Sequence, residues 1–254
     1  MSRKKCLQPL QLQQNNITVL DNKKLDNKLK VKIEDLYDIQ PLTKNQSKFF
    51  NLYDESSFIL LHGVAGTGKT YIALYKAIQQ VLSKDNRYHN VIIVRSAVPS
   101  RDVGYLPGDI HEKAEVYEKP YQDICDSLFA RKDSYQRLQE QKNIKFMITS
   151  YIRGITIDNS IIIVDECQNM TDMELNSIIT RVGDRSKIIF CGDFRQTDLY
   201  KKFDQSGLKK FMLITELMQS ARTIEFDNDD IVRSKLVKEY IVARNVFEDM
   251  YEVA

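Results

Sequence analysis

His62 to Thr70 reads HGVAGTGKT, a GxxxxGKT pattern whose residue types suit the wrapping of a polyphosphate. Glycines let the backbone turn tightly, so that consecutive N–H groups point at the β- and γ-phosphates. Lys69 adds a full positive charge, and the Thr70 hydroxyl is a ligand for Mg²⁺. The flanks FILL and YIALYKAIQQVL read as a strand and an amphipathic helix, so the loop opens on the positive end of that helix. The stretch expected to contact ATP is Gly63, Val64, Ala65, Gly66, Thr67, Gly68, Lys69, Thr70 and Tyr71. By itself the pattern fits a small-molecule kinase as well as an ATPase.

A second stretch, IIIVDECQ from Ile161 to Gln168, supplies acids. Four apolar residues make a strand buried on both faces, which delivers Asp165 and Glu166 to the sheet edge where ligands bind. Asp165 is placed to hold Mg²⁺ opposite Thr70, and Glu166 to orient and deprotonate an attacking water. Acids after a strand often do no more than cap the next helix; the phosphate loop upstream favours the chemical role. Roughly a hundred residues separate the two stretches, room for strands between them, so the expected fold is the additional-strand type used by ATPases that activate water. Kinases usually lack the second acid.

Three weaker signals complete the set. Ile188 to Thr197 reads IIFCGDFRQT, a strand leaving through Gly-Asp to Gln196, whose amide both donates and accepts and so suits sensing the γ-phosphate or its water. Upstream of the loop, Gln46 in LTKNQ can read an adenine with one amide. Arg181 and Arg233, each flanked by apolar residues, are the arginine-finger candidates, with Arg233 preferred; both also suit a stem lying over the core.

These residues need a scaffold. Apolar runs at Phe58 to Leu61, Val91 to Val94, Ile144 to Thr149, Ile161 to Val164, Lys187 to Cys191 and Thr223 to Phe226 are predicted strands, with no internal Gly or Pro. Predicted helices are Lys69 to Ser83, Ile110 to about Gln141, Asp172 to Arg181, Ser206 to Gln219 and Asp229 to about Tyr251. Thr171 is read as an N-cap, with Glu174 closing a capping box. Strands alternating with helices make an α/β fold, a mostly parallel twisted sheet with helices on both faces. Residues 1–41, rich in Gln, Asn and Lys, read as a polar, loosely docked extension with a short hairpin, and 42–254 as the domain proper.

Bulk properties narrow the function. The 254 residues carry 37 Lys and Arg against 35 Asp and Glu, net +2, so any nucleic-acid site is a local patch and not a global field. Cys6, Cys125, Cys167 and Cys191 form no CxxC pair and have no His cluster near them, which argues against a zinc site or a disulfide framework. No run of about 18 uncharged apolar residues appears, and the N-terminus lacks an apolar signal core. A cytoplasmic location without a membrane partner is expected.

Taken in order, LTKNQ, GVAGTGKTYIA, RSAV, GYLPGD, YIRG, IIIVDECQN, TRVGDRSK, GDFRQTDL, SGL and DIVRSKLV resemble the PhoH-like family of P-loop ATPases over roughly residues 42–245. That family is similar to the N-terminal ATPase core of superfamily 1 helicases. The resemblance implies a RecA-like domain, ATP hydrolysis, association with RNA and ring-shaped, hexameric assembly. It carries triphosphate binding onto Gly63, Gly66, Gly68, Lys69 and Thr70, metal and water onto Asp165 and Glu166, γ-phosphate sensing onto Gln196 and the closing-motif arginine onto Arg233. Departures are Ser96 where the family has Pro, Cys167 where Ala is common, and Ser234-Lys235 where His-Pro is typical.

One ATPase core, where helicases pair two, implies a homo-oligomer in which Arg233 or Arg181 reaches a neighbour's nucleotide. The segment Arg95 to Lys119 mixes basic residues with Tyr105 and Tyr117, a composition suited to RNA or another single strand, with Arg101 and Tyr105 as contacts; an ordinary solvated loop fits equally. Three readings stay open: a helicase-like motor acting on RNA or single strands, a nucleotide-gated nucleic-acid-binding or scaffold module with slow turnover, and a small-molecule kinase.

Overall fold

The computed structural model describes residues 30–96, 110–129, 131–193 and 206–251. Six strands, β1 (Phe58–Gly63), β2 (Asn90–Arg95), β3 (Ile144–Ile148), β4 (Ser160–Asp165), β5 (Lys187–Gly192) and β6 (Ala221–Phe226), form one parallel sheet in the order β3-β2-β4-β5-β1-β6. All six predicted strands form, within a few residues of their expected limits. Because β5 separates β1 from β4, the additional-strand expectation holds, and the domain is a RecA-like P-loop fold.

Seven helices lie among the described residues: α1 (Lys44–Leu52), α2 (Lys69–Leu82), α3 (Ile110–Phe129), α4 (Ser134–Glu140), α5 (Asp172–Ile179), α6 (Ser206–Glu216) and α7 (Lys235–Tyr251). Strand side chains alternate between the two faces. Ile59, Leu61, Ile161, Ile163, Ile189 and Cys191 enter a core with Phe49 of α1 and Tyr53 just past its end, Ile72 and Leu74 of α2 and Tyr121 and Cys125 of α3. Phe58, Leu60, Ile162, Val164, Ile188 and Phe190 face the other way, against Leu175 and Ile178 of α5 and Phe211 of α6. There Phe190 packs 5.4 Å from Phe58 and 4.8 Å from Phe211, centroid to centroid, each ring worth about 1.5–3 kcal/mol of burial. One lysine is walled in: Lys187 at the start of β5 is buried, donates to the Tyr53 carbonyl and lies 3.8 Å from the centre of the Tyr53 ring.

Two helix expectations need correction, and one helix was not expected. The helix predicted from Ile110 to Gln141 is two: Asp133 draws Arg131 and Arg137 onto its carboxylate, and Asp126 Oδ1 accepts the Ser134 N–H at 3.2 Å, which turns the chain between α3 and α4. The helix expected from Asp229 begins at Lys235, because Asp227 caps a 3₁₀ turn over Asn228–Asp230 and the next residues stay extended so that Val232 N–H reaches the Gly66 carbonyl at 3.0 Å. The helix α1, started by the Thr43 side chain accepting from Gln46 N–H, was not among those predicted.

The capping box of Thr171 and Glu174 forms as expected. Of the extension expected to carry a short hairpin, residues 1–29 lie outside those described, and residues 30–41 hold a 3₁₀ turn at Ile33–Asp35 and no strand. Of that extension, residues 30–41 contribute Val31 to the core, where its backbone pairs with the Gln141 amide at 2.9 and 3.1 Å. No helix among the described residues is long and apolar enough to cross a membrane.

Candidate functional site

Parallel strands bring their C-terminal ends to one edge. There the tips of β1, β5, β4 and β2 present Gly63, Gly192, Asp165 and Arg95, with Arg95 and Asp165 side by side in register. A cleft of about 830 Å³ opens over this edge, lined by the phosphate loop, Asp165, Glu166, Gln168, Asp193 and Arg233.

The loop is built by backbone that only glycine tolerates at two points. Gly63 has φ +116°, and a β-carbon there would sit 2.0 Å from the Phe226 carbonyl oxygen; the close approach lets that carbonyl accept Val64 N–H at 2.9 Å. Gly68, φ +79°, is the left-handed N-cap of α2, so the first N–H groups of α2 remain available at the loop. Thr67 is fully buried, its hydroxyl donating to the Val64 carbonyl at 3.1 Å. Lys69 closes over the loop, its ammonium donating to the carbonyls of Gly63 (3.0 Å) and Val64 (2.7 Å). Burial lowers the pKa of that ammonium, while Asp193, Asp165 and Glu166 oppose the shift.

The acids meet the loop directly. The Thr70 hydroxyl donates to Asp165 Oδ1 at 2.6 Å, and the Tyr121 hydroxyl of α3 donates to Asp165 Oδ2 at 2.8 Å. Glu166 leaves the strand in the left-handed region, φ 52° and ψ 41°, an unusual conformation for a side chain of its size and one that accumulates at functional sites. Its carboxylate accepts from Gln168 Nε2 at 2.5 Å, while Gln168 Oε1 accepts the Asp193 N–H at 3.0 Å. Burial, then the neighbouring Asp165, raise the Glu166 pKa; Arg95, Gln168 and Lys69 pull it down. A carboxylate so balanced is suited to taking a proton.

Other expected residues lie as follows. Gln46 is buried beside the loop and lines the cleft; its amide donates to the Thr67 carbonyl at 2.9 Å and accepts Leu42 N–H at 2.8 Å. Arg233 rests on its own phosphate loop, its γ-carbon 3.0 Å from where a Gly66 β-carbon would be. Arg181 is elsewhere: its carbonyl accepts Ile157 N–H at 2.8 Å and the adjoining Val182 bridges Ile157, at the starting ends of β4 and β5, across the sheet from the cleft. Gln196, Arg101 and Tyr105 lie outside the described residues. Reasoning from sequence missed Gln168, Arg95 and Tyr121 as neighbours of the acids. Gln168 stood two residues beyond Glu166 and was legible as a polar side chain at a strand exit; nothing local marked Tyr121.

The family profile described as PhoH-like protein matches residues 38–245. The PhoH-like protein of Bacillus subtilis (strain 168) is 34% identical over 206 residues, covering 81% of this chain and 63% of the relative. Protein PhoH of Escherichia coli (strain K12) is 31% identical over 199 residues, covering 77% and 55%. The chain thus spans less than two thirds of the length of these curated relatives. Among solved structures, the large terminase from a thermophilic bacteriophage in complex with ADP aligns with TM-score 0.48 and 15% identity over 83% of this chain and 50% of that one. Unliganded Pif1 from Bacteroides sp aligns with TM-score 0.39 and 15% identity, over 82% and 46%.

Proposed function

The chain belongs to the PhoH-like family, and on that premise we propose that it binds ATP with Mg²⁺ and hydrolyses it. The observation that carries this reading is the 2.6 Å hydrogen bond from Thr70 to Asp165, which joins the phosphate loop to the acid pair. The loop's N–H groups and the start of α2 receive the triphosphate, and the Lys69 ammonium counters its charge. Glu166, aimed by Gln168, takes the proton of an attacking water.

The residues present fit Mg²⁺. A hydroxyl and a carboxylate are hard oxygen donors, and by donating its proton to Asp165 the Thr70 oxygen keeps lone pairs for a cation. Mg²⁺ beside a polyphosphate is commonly held by few side chains and completed by phosphates and water. Thr70 and Asp165 would hold it, and it would neutralise charge on the β- and γ-phosphates. Gln46 is proposed to read the adenine, Gln196 to sense the γ-phosphate, and Arg233 to stabilise charge in the transition state.

We extend the reading to a cytoplasmic homo-oligomer, of hexameric ring form, acting on RNA or single-stranded nucleic acid. Support for the strand comes from where the segment after Arg95 begins, at the tip beside Asp165. Support for assembly comes from the apolar side chains that α7 exposes at Leu236, Tyr240 and Met250 and α6 at Leu213 and, just past its end, Leu217. The test is the rate of phosphate release with and without defined RNA and DNA strands, together with the mass of the assembly in solution. Stimulation by a strand and a multimeric mass are expected; a fully active monomer indifferent to both strands contradicts the extension, and absence of phosphate release contradicts the ATPase.

A further inference from the structure

Asp165 is held from two sides, and only the Thr70 side belongs to the phosphate machinery. The other is Tyr121, buried in α3, whose ring packs 5.7 Å from Phe146 and whose hydroxyl donates to Asp165 Oδ2 at 2.8 Å. At the tip of β2 the Arg95 guanidinium lies 5.4 Å over the ring of Tyr117, which is also on α3. The Tyr121 hydroxyl gives its single proton to Asp165 Oδ2.

We propose that Tyr121 is the positioning residue for Asp165: its buried hydroxyl fixes the carboxylate in the orientation that meets a metal ion beside Thr70. Asp165 Oδ1 is left to the Thr70 side of the site while Oδ2 is pinned to α3. Tyr121 on α3 and Thr70 on α2 therefore set the carboxylate jointly, one at each oxygen. The inference rests on the ATP and Mg²⁺ reading above.

The test uses ATP binding at graded Mg²⁺ in the Glu166→Gln background, where ATP is not consumed, with and without Tyr121→Phe. Phe keeps the ring against Phe146 and removes only the hydroxyl. Losing an outer partner of a metal ligand commonly weakens the metal about tenfold or more, so the half-saturating Mg²⁺ concentration is expected to rise about tenfold while ATP affinity in EDTA holds. Added to Asp165→Asn, the same change is expected to have no further effect, because Tyr121 acts through that carboxylate. An unchanged Mg²⁺ requirement, or an equal loss on the Asp165→Asn background, overturns the proposal. Failure of Glu166→Gln itself to bind ATP with or without Mg²⁺ is a different result, and it overturns the nucleotide reading and this one together.

Discussion

Thr70 and Asp165, 95 residues apart in sequence, share a hydrogen bond of 2.6 Å between hydroxyl and carboxylate Oδ1. The contact spans three strands, since β5 lies between β1 and β4, and α2 and the end of β4 must both extend over the sheet edge for it to form.

Removing the hydroxyl while keeping its shape, as in Thr70→Val, is expected to leave ATP binding in EDTA within a few-fold of the native protein. The tightening caused by Mg²⁺ is expected to disappear and turnover to fall about 100-fold. Titration of ATP with and without Mg²⁺ measures the first pair, phosphate release the second. Equal loss of affinity in both conditions shows a loop that has lost its shape and not a lost metal ligand.

Arg233 lies on its own loop beside Gly66, and Arg181 lies at the opposite end of the sheet. If Arg233 serves the nucleotide of its own subunit, Arg233→Ala lowers turnover at least about tenfold, and mixing it with Glu166→Gln restores nothing. Recovery of activity in the mixture identifies an arginine acting between subunits instead, the arrangement expected from sequence.

Lys187 gives a pH signature in stability. Burial lowers its pKa to about 8 although Asp54 opposes the shift, whereas the unfolded value is about 10.4. Between these values the unfolded chain binds more protons than the folded one, so this group's penalty is full below pH 8 and fades as pH rises. Against Lys187→Met in urea unfolding, the native protein is expected to gain stability from pH 7.5 to 9.5. Parallel curves for the two proteins contradict the burial of a charged ammonium at this position.

Much of this was legible in the chain. The phosphate loop is local chemistry, so HGVAGTGKT announced both its turn and its ligand class. Unbroken apolar runs such as Ile161 to Val164 marked strands buried on both faces. What escaped was set by distant partners. The start of α7 depends on Val232 reaching Gly66, and a run of acids before it reads as a helix until that bond is known. Glu174 was read as a cap and is one, yet the same carboxylate also accepts from Ser96 at 3.0 Å and Thr149 at 2.6 Å, tying the tips of β2 and β3 to α5. Ser96 can make that bond because it carries a hydroxyl, which a proline at this position would lack.

The role proposed for Glu166, taking the proton of water, is tested most directly by its glutamine variant. Glu166→Gln keeps the hydrogen-bonding shape beside Gln168 and removes the base. Phosphate release is expected to fall at least about 100-fold while ATP with Mg²⁺ binds as tightly as to the native protein. Unchanged turnover in Glu166→Gln, measured under the same conditions, contradicts the account.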